Sequence, residues 1–577
     1  MQNQLDRRSF LKGATVAGAA ALAGVATSGL TGCTPGASRT QDAPVSDGLI
    51  NAQIYAKQKW AFEVAPDPIP DEQIVETKTA DIIVIGSGTS GLAAATSAAE
   101  NGAKVILISA SSVNVSRGGS VHAMNSKFMR AHANEFPLPD TDKYFRDQLL
   151  HASYNVDEAK WWKWNRESEE SMDWLINKME DVGYTTVFEA GFSEPDGPMD
   201  MPVGSHSWNG DGITGAGGSQ QLVVDTLANN AKKAGAEIIY GMAAKQLVRD
   251  NNNTGRVSAV VAQDVNDETW HKYEGTKAII MAMGDFSADK DMMSKYCPHA
   301  LPLVSDIEDV NYDIGFTFGG LYKGEGHKMG LWVGAAWQKT FPNAAMTLAV
   351  GTAGPANQPC GAFRGLLVNR DGQRYANENV TGVFANISQM HQPEGKGFAL
   401  WSANYAKDAA PWYSVGMTRT DAPIPPEAML AQWQDDSNPM QNYVVGNTID
   451  EVISALGLPL AETKATVERY NSLCAKGADD DFCKNPSQMV PLTEAPFFGA
   501  AGSPPMFLTV LGGLRTDINM RVCDENDNPI PGLYNIGTMV GDYYSGFYTF
   551  LIEGNNLGAT CLTFGYVTGR DIAKGLI

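Results

Sequence analysis

Gly86-Ser87-Gly88-Thr89-Ser90-Gly91 sets three glycines at the Gly-x-Gly-x-x-Gly spacing, which can grip a diphosphate. The first glycine permits a tight turn, the second lets the backbone approach the pyrophosphate, and the third lets helix and strand pack closely. The anion then rests on free N–H groups at a helix N-terminus, where the dipole favours negative charge. An acidic residue usually ends the second strand of such a unit and holds the ribose hydroxyls; that position here is Ser109. A serine still bonds a hydroxyl, without the strength of a charged acceptor.

Three elements must position that loop. Asp81-Ile82-Ile83-Val84-Ile85 is a β-branched apolar run that predicts a strand. Leu92 to Glu100 is built of small helix-compatible residues and stops at Asn101-Gly102; Lys104 to Ile108 predicts the second strand. Strand, glycine turn, helix and strand follow within about 30 residues, the setting the motif requires.

Other reactive side chains give weaker signals. His122, His206 and His327 show no metal-ligand spacing, so no metal is expected. Cys297, Cys360, Cys474, Cys483, Cys523 and Cys561 form neither a Cys-x-x-Cys pair nor a haem-attachment site. Cys474 and Cys483 flank a polar loop and could bridge outside the cytoplasm or stay as thiols. Asp479-Asp480-Asp481 reads as a solvated turn.

The chain of 577 residues exceeds the roughly 250 to 300 that one hydrophobic core supports, which predicts two or three lobes. Its 43% hydrophobic content is that of a globular protein. A formal charge of -22 argues against nucleic acid, whose binding needs clustered Lys and Arg. An acidic surface suits a positively charged protein partner better, or serves solubility.

The N-terminus reads as an address. Asp6-Arg7-Arg8-Ser9-Phe10-Leu11-Lys12 precedes a mild Ala/Gly-rich stretch, Gly13 to Leu30, too poor in Leu, Ile and Phe for a membrane span. The paired arginines resemble a twin-arginine export signal. Leu30-Thr31-Gly32-Cys33 resembles a lipoprotein cleavage box that would make Cys33 the acylated first residue, ahead of a polar tether from Thr34 to Gly48. Acyl chains bury CH₂ groups at about 0.8 kcal/mol each, which would hold the protein on the outer face of the cytoplasmic membrane.

Beyond the glycine loop, blocks in order resemble the FAD-dependent flavoprotein subunits of fumarate reductase and succinate dehydrogenase and their soluble relatives. They are Ser116-Arg117-Gly118-Gly119-Ser120, Gln220 to Ala231, Gly235 to Ile239, Ala244 to Val248, and Lys277 to Phe286, where Asp285 replaces the second of a glycine pair. Leu367 to Tyr375, Glu468 to Asn471, Asp481-Phe482 and Pro531 to Gly537 continue the likeness, which covers nearly all of Thr79 to Lys574. The resemblance implies an α/β fold: a discontinuous Rossmann-type FAD-binding domain, 79–341 and 502–577, with an inserted α+β capping domain, 342–501. Residues 1–32 would be signal and 33–78 tether and extension. To Gly86, Ser87, Gly88, Thr89, Ser90, Gly91 and Ser109 it adds, as cofactor contacts, Ser116, Arg117, Gly118, Gly119, Ser120, Ala244, Ala282, Gly284, Gly537, Thr538, Leu557 and Gly558. Members that bind flavin covalently carry a His where this chain has Ser112, so noncovalent FAD is expected.

In the fumarate-reducing relatives, hydride from flavin N5 meets a proton from an Arg on the cap, and Arg and His side chains clamp both carboxylates. Here Ile552 stands at one clamp Arg, and Leu508-Thr509-Val510-Leu511-Gly512-Gly513 lacks the clamp His. The resemblance therefore implies a reductase of an activated C=C bond, an enoate or enone rather than fumarate. Arg364 lies near the place of the proton-donating Arg, and Tyr544 and Tyr548, within the group Tyr543, Tyr544, Phe547, Tyr548 and Phe550, could donate a proton or suit a flat substrate. The likeness is to exported single-subunit reductases, implying an electron donor such as a cytochrome c or quinol dehydrogenase and a terminal step of anaerobic respiration. Two readings stay open beside it: a ketosteroid-type dehydrogenase running the chemistry backwards, and a lipoprotein that only binds flavin or another ligand.

Overall fold

The computed structural model describes residues 59–577 apart from 136–137, 189–191, 194–199, 214–215, 316, 318, 349–364, 379–386, 409–424, 435–442, 503–505, 547 and 550. The signal, Cys33 and Cys360 lie outside the described residues.

Along the chain the elements that frame the site are β1 (Ile74–Ile85), α1 (Thr89–Glu100), β2 (Val105–Ile108), α2 (Glu158–Asp181), α3 (Ala216–Lys233), β3 (Glu237–Ile239), β4 (Met242–Arg249), β5 (Val257–Asp264) and β6 (Trp270–Met281). After them come β7 (Leu366–Asn369), β8 (Gly397–Ser402), β9 (Tyr443–Gly446), α4 (Leu460–Lys476), β10 (Phe497–Ala501), β11 (Arg521–Cys523), β12 (Pro529–Asn535) and α5 (Phe564–Lys574).

The main sheet has eight strands, and its path runs β11-β12-β6-β1-β2-β3. Neighbours from β12 to β3 are parallel, β11 is antiparallel to β12, and β5 and β4 extend from β6 as an antiparallel pair. Parallel strands covered on both faces read as unbroken apolar runs. Ile82 to Ile85 and Val105 to Ile108 are such runs and are buried throughout. The strand foreseen over Asp81–Ile85 in fact begins at Ile74. Its first half is polar from Glu76 to Thr79 and mostly exposed, so an apolar-run reading misses it; pairing of Ile74 to Ala80 with Trp270 to Gly275 holds it extended.

α1 is buried from Thr89 to Ala99. A helix buried on all sides needs small side chains, and Thr-Ser-Gly-Leu-Ala-Ala-Ala-Thr-Ser-Ala-Ala supplies them. α5 approaches so closely that a Cβ on Gly569 would lie 2.2 Å from Ala94 O. α1 ends as foreseen, with Asn101 as C-cap and Gly102 at φ +83°.

Between the two stretches that feed the main sheet lies the α+β capping domain. Its sheet is antiparallel in the order β7-β8-β10-β9, with a core of its own around Trp401, Trp433 and Phe498. The segments entering and leaving it pair antiparallel, Ala344–Leu348 with Met506–Leu511.

The expected solvated turn at Asp479-Asp480-Asp481 is a correction. Asp480 and Asp481 are exposed, but the Asp479 carboxylate is fully buried. Arg374 donates to both Asp479 oxygens, at 3.0 and 2.8 Å, and to both Glu378 oxygens, at 2.9 and 2.8 Å. Lys484 Nζ lies 3.3 Å from Glu378 and donates to the Tyr470 hydroxyl at 3.2 Å. Sequence spacing hid this network because its members come from three separate segments. Cys474 and Cys483 are both free thiols.

Candidate active site

The β1–α1 turn delivers the glycine loop to the carboxyl ends of the parallel strands, where open α/β sheets place their ligands. Gly86 has φ +112°, and a Cβ there would meet Ala282 O at 2.2 Å. On Gly91 it would meet Gly86 O at 2.0 Å. Gly88 differs: its φ of -79° suits any residue, and its nearest neighbour for a Cβ is Val115 O at 3.5 Å. Nothing in the polypeptide demands a glycine there, whereas a ligand pressed against the backbone does. The first intrahelical amide bond runs from Leu92 to Gly88 O, so the preceding amides are available, and the first turn carries no acidic residue.

A cavity of about 380 Å³ starts at this turn. At one side it meets Ser87, Ser109 and Ser111, whose hydroxyls lie 2.9, 3.1 and 2.8 Å from one another. Ser111 donates onward to Val113 O at 2.7 Å. Three neutral hydroxyls thus occupy the place of the usual carboxylate. Buried Thr538 Oγ1 on the cavity wall has no hydrogen-bond partner among the described residues. A buried polar atom without a partner is costly unless a ligand satisfies it. The open helix N-terminus, the unforced glycine and this orphan hydroxyl fit a bound dinucleotide.

The cavity wall also includes Arg117, Tyr312, Tyr322, Glu325, Leu508 and Thr509. Arg117 donates to Asp285 at 2.8 Å and to Leu508 O at 3.0 Å, and its guanidinium carbon lies 5.4 Å from the Tyr322 ring centre. Asp285 is fully buried and also accepts from Ser287 N and Oγ, Val510 N and Thr509 Oγ1. The replaced glycine of the sequence comparison is therefore the partner of Arg117. Breaking a buried pair strands a charge at about 3 to 5 kcal/mol. Asp285→Ala is expected to lose about that much stability, and Arg117→Leu in the same chain to recover part of it, as read by thermal unfolding of both variants. A single variant as stable as the parent would show that the pair holds nothing.

Of the residues singled out in the sequence, Gly86, Ser87, Gly88, Thr89, Ser90, Ser109, Ser116, Arg117, Gly118, Gly119, Ser120, Ala244, Ala282, Gly284, Thr538, Leu557 and Tyr548 all line this cavity. Gly91, Gly537 and Gly558 stand behind it as packing positions: a Cβ on Gly537 would lie 2.7 Å from Ser90 Oγ, and on Gly558 1.9 Å from His122 O. Tyr544 is corrected. It is buried in the core against Trp161 with its hydroxyl on Asn555, and it does not line the cavity. Arg364 lies outside the described residues. Ser112 N and Oγ both donate to Asp313, at 2.6 and 2.8 Å. Burial depresses His122, His206 and His327, the first to about 3 and the others to about 4, although backbone carbonyls oppose the shift. Among the described residues no group of His, Cys, Asp and Glu could hold a metal.

Tyr312, Tyr322 and Glu325 escaped the sequence reading, since no motif surrounds them. One signal was available. Gly284, at φ +80°, has no room for a side chain because Tyr322 lies against it, 2.6 Å from where a Cβ would sit.

The model of the FAD binding domain family matches residues 81–557, from the buried half of β1 to the cavity wall at Leu557. The chain belongs to the FAD binding domain family. Like other members it takes FAD as cofactor, and it is an oxidoreductase acting on CH–CH groups. A twin-arginine translocation signal matches residues 4–24, which gives export by that route. Among the described residues no helix is long and apolar enough to cross a membrane. The chain is 26% identical to the vinyl phenol reductase of Lactiplantibacillus plantarum, over 86% of this chain and 95% of that one. It is 24% identical to the urocanate reductase of Eggerthella lenta, over 99% and 82%. The solved 3-ketosteroid-delta4-(5alpha)-dehydrogenase of Rhodococcus jostii RHA1 shares the fold with a TM-score of 0.67 at 22% identity, over 88% of this chain and 99% of that one.

Proposed function

We propose that this FAD-dependent oxidoreductase works as a reductase outside the cytoplasm, saturating the activated double bond of an enoate or enone rather than of fumarate. The observation that carries this reading is the charge state of the cavity wall around Arg117. A small dicarboxylate needs free cationic groups to hold both ends, since bidentate guanidinium contacts supply orientation as well as energy. Among the described residues the cavity wall carries two basic side chains, Arg117, already engaged by Asp285, and the exposed Lys245 of β4, while Ile552 is a buried apolar residue and Thr509 donates to Asp285. Tyr312 and Tyr322, near-parallel at 6.2 Å between ring centres, suit a flat, weakly charged molecule. Two of the relatives are named for a vinyl phenol and for urocanate, others for fumarate, so the preference for an acceptor other than fumarate rests on the cavity wall.

When bound, FAD supplies hydride at its flavin ring. The chain does the remaining work. Residues Gly86 to Ser90 receive the diphosphate on backbone amides, and Ser87, Ser109 and Ser111 receive the ribose. The loop from Ser116 to Ser120 and the positions Ala244, Ala282, Gly284, Thr538 and Leu557 enclose the rest, with no covalent link because Ser112 cannot form one. The capping domain, 342–501, keeps water from the reacting carbons.

Electrons would come from a separate donor such as a cytochrome c or quinol dehydrogenase, and Cys33 would carry the lipid that keeps the enzyme beside it. Anaerobic addition of enones and enoates to dye-reduced protein tests the reading. Flavin reoxidation with formation of the saturated product is the expected result. A flavin that no such acceptor reoxidises, or one reduced instead by a saturated ketone, would overturn it, the latter in favour of a dehydrogenase.

A further inference from the structure

A reductase of this kind needs an acid; Arg364, foreseen for that role, lies outside the described residues, and the tyrosines foreseen beside it are otherwise engaged. Tyr548 donates to Ile552 O at 3.3 Å and Tyr544 is in the core. Tyr312, on the wall, donates to Glu325 at 3.1 Å. Tyr322 is different. It lines the cavity, and its hydroxyl is bonded to no described residue.

We infer that Tyr322 is the proton donor of this site, delivering the hydroxyl proton to the alkene carbon that does not receive hydride. This rests on the reductase reading proposed above. The Tyr322 O–H bond breaks as a C–H bond forms at one carbon. The other carbon gains a hydrogen with both bonding electrons as hydride from reduced FAD, and the π bond is consumed. The tyrosinate left behind regains its proton from water, and the reducing equivalents come from an external donor, a reduced viologen dye in the test.

The surroundings suit that cycle. Ala288 N donates to the Tyr322 carbonyl at 2.8 Å and Leu321 N to Ser287 Oγ at 3.1 Å, which hold the backbone, while the ring lies on Gly284. Burial raises the phenol, Arg117 opposes this, and Asp285 and Glu325 add to the rise, so the group stays protonated at neutral pH. Arg117, beside the ring, favours the anion formed when the proton leaves. Asp285 fixes Arg117 in turn. A cation held this way stabilises charge as it appears, without moving.

The test uses Tyr322→Phe holoprotein and 1-nitrocyclohexene. A nitro group stabilises the carbanion, so hydride addition to this acceptor does not need an acid, and protonation can be watched separately. Because the hydroxyl is hydrogen-bonded to no described residue, the variant is expected to keep stoichiometric FAD, an unchanged Tm, and binding of nitrocyclohexane to the oxidised form within about threefold. With pre-reduced protein, flavin reoxidation stays within about threefold of the parent. The product changes: the parent releases nitrocyclohexane, whereas the variant releases the nitronate, with on-enzyme protonation down by about a hundredfold or more. Nitrocyclohexane formed by the variant at the parent's rate would overturn the acid role alone. Parent protein whose flavin the nitroalkene does not reoxidise would overturn the reductase reading, and the acid role with it.

Discussion

Gly88→Ala protein is expected to emerge folded and without bound flavin. The backbone at Gly88 is in an ordinary extended conformation, and an added Cβ meets only Val115 O at 3.5 Å, an unstrained contact. The polypeptide therefore tolerates the methyl group. A diphosphate drawn onto the amides beyond it does not, because the methyl stands where the backbone must be approached. Each charge-assisted hydrogen bond lost is worth about 1.5 to 3 kcal/mol, so loss of two lowers FAD affinity by roughly a hundredfold or more. Gly86→Ala provides the contrast. Its Cβ would lie 2.2 Å from Ala282 O at a φ of +112°, so that variant is expected to be unstable before any cofactor is considered. Absorption spectra and far-ultraviolet circular dichroism of the two proteins separate the effects. Stoichiometric yellow flavin in Gly88→Ala would refute the assignment of the diphosphate to this turn.

Glu378→Ala is expected to cost the protein about 3 to 5 kcal/mol, since it removes a buried anion shared by Arg374 and Lys484 and leaves both cations under-compensated. Burial alone would raise the Glu378 carboxyl, but Lys484 and Arg374 outweigh it and hold the group below its usual range. At Asp479 burial likewise acts upward, and the Arg374 bonds with the amides of Lys484 and Phe482 bring the group down to about 2. A carboxyl depressed in the folded state stabilises the fold above its unfolded value near 4 and loses that contribution as pH falls through its folded value. Stability is thus expected to drop between about pH 4 and pH 2, and the drop to shrink in Glu378→Ala, where part of the network is already gone. Calorimetric scans across that range check both statements. A variant melting within a degree of the parent would show that the ion network adds nothing.

Much of the nucleotide end was legible in the sequence because its chemistry is local. Gly86 to Gly91, the apolar run to Ile85 and the helix stop at Asn101-Gly102 are consecutive, so spacing alone fixes their relation. Ser109 was legible as an anomaly, but its partners Ser87 and Ser111 became visible only when β1 and β2 aligned side by side. The wall around Arg117 was hidden for a physical reason. Arg117, Asp285 and Thr509 are separated by hundreds of residues and meet only because β6 and the segment after the cap converge on one loop. Tyr544 looked reactive in a row of aromatic residues, yet a row of rings near a helix packs as core unless one side is open. Asp479 looked solvated for the complementary reason: three consecutive acids suggest water, and only the fold shows that one of them turns inward toward Arg374.

The order of strands in the main sheet bears on how the molecule is made. β12, residues 529–535, lies directly beside β6 and two places from β1, although the ribosome releases it after more than nine-tenths of the chain. Synthesis presents β1, α1 and β6 early and leaves the sheet without this strand beside β6 until termination is close, so the nascent polypeptide has a long wait with an incomplete platform. Prematurely terminated products would carry the twin-arginine address of residues 4–24 yet be unable to close around the nucleotide. Tight cofactor retention would then report that translation ran to completion.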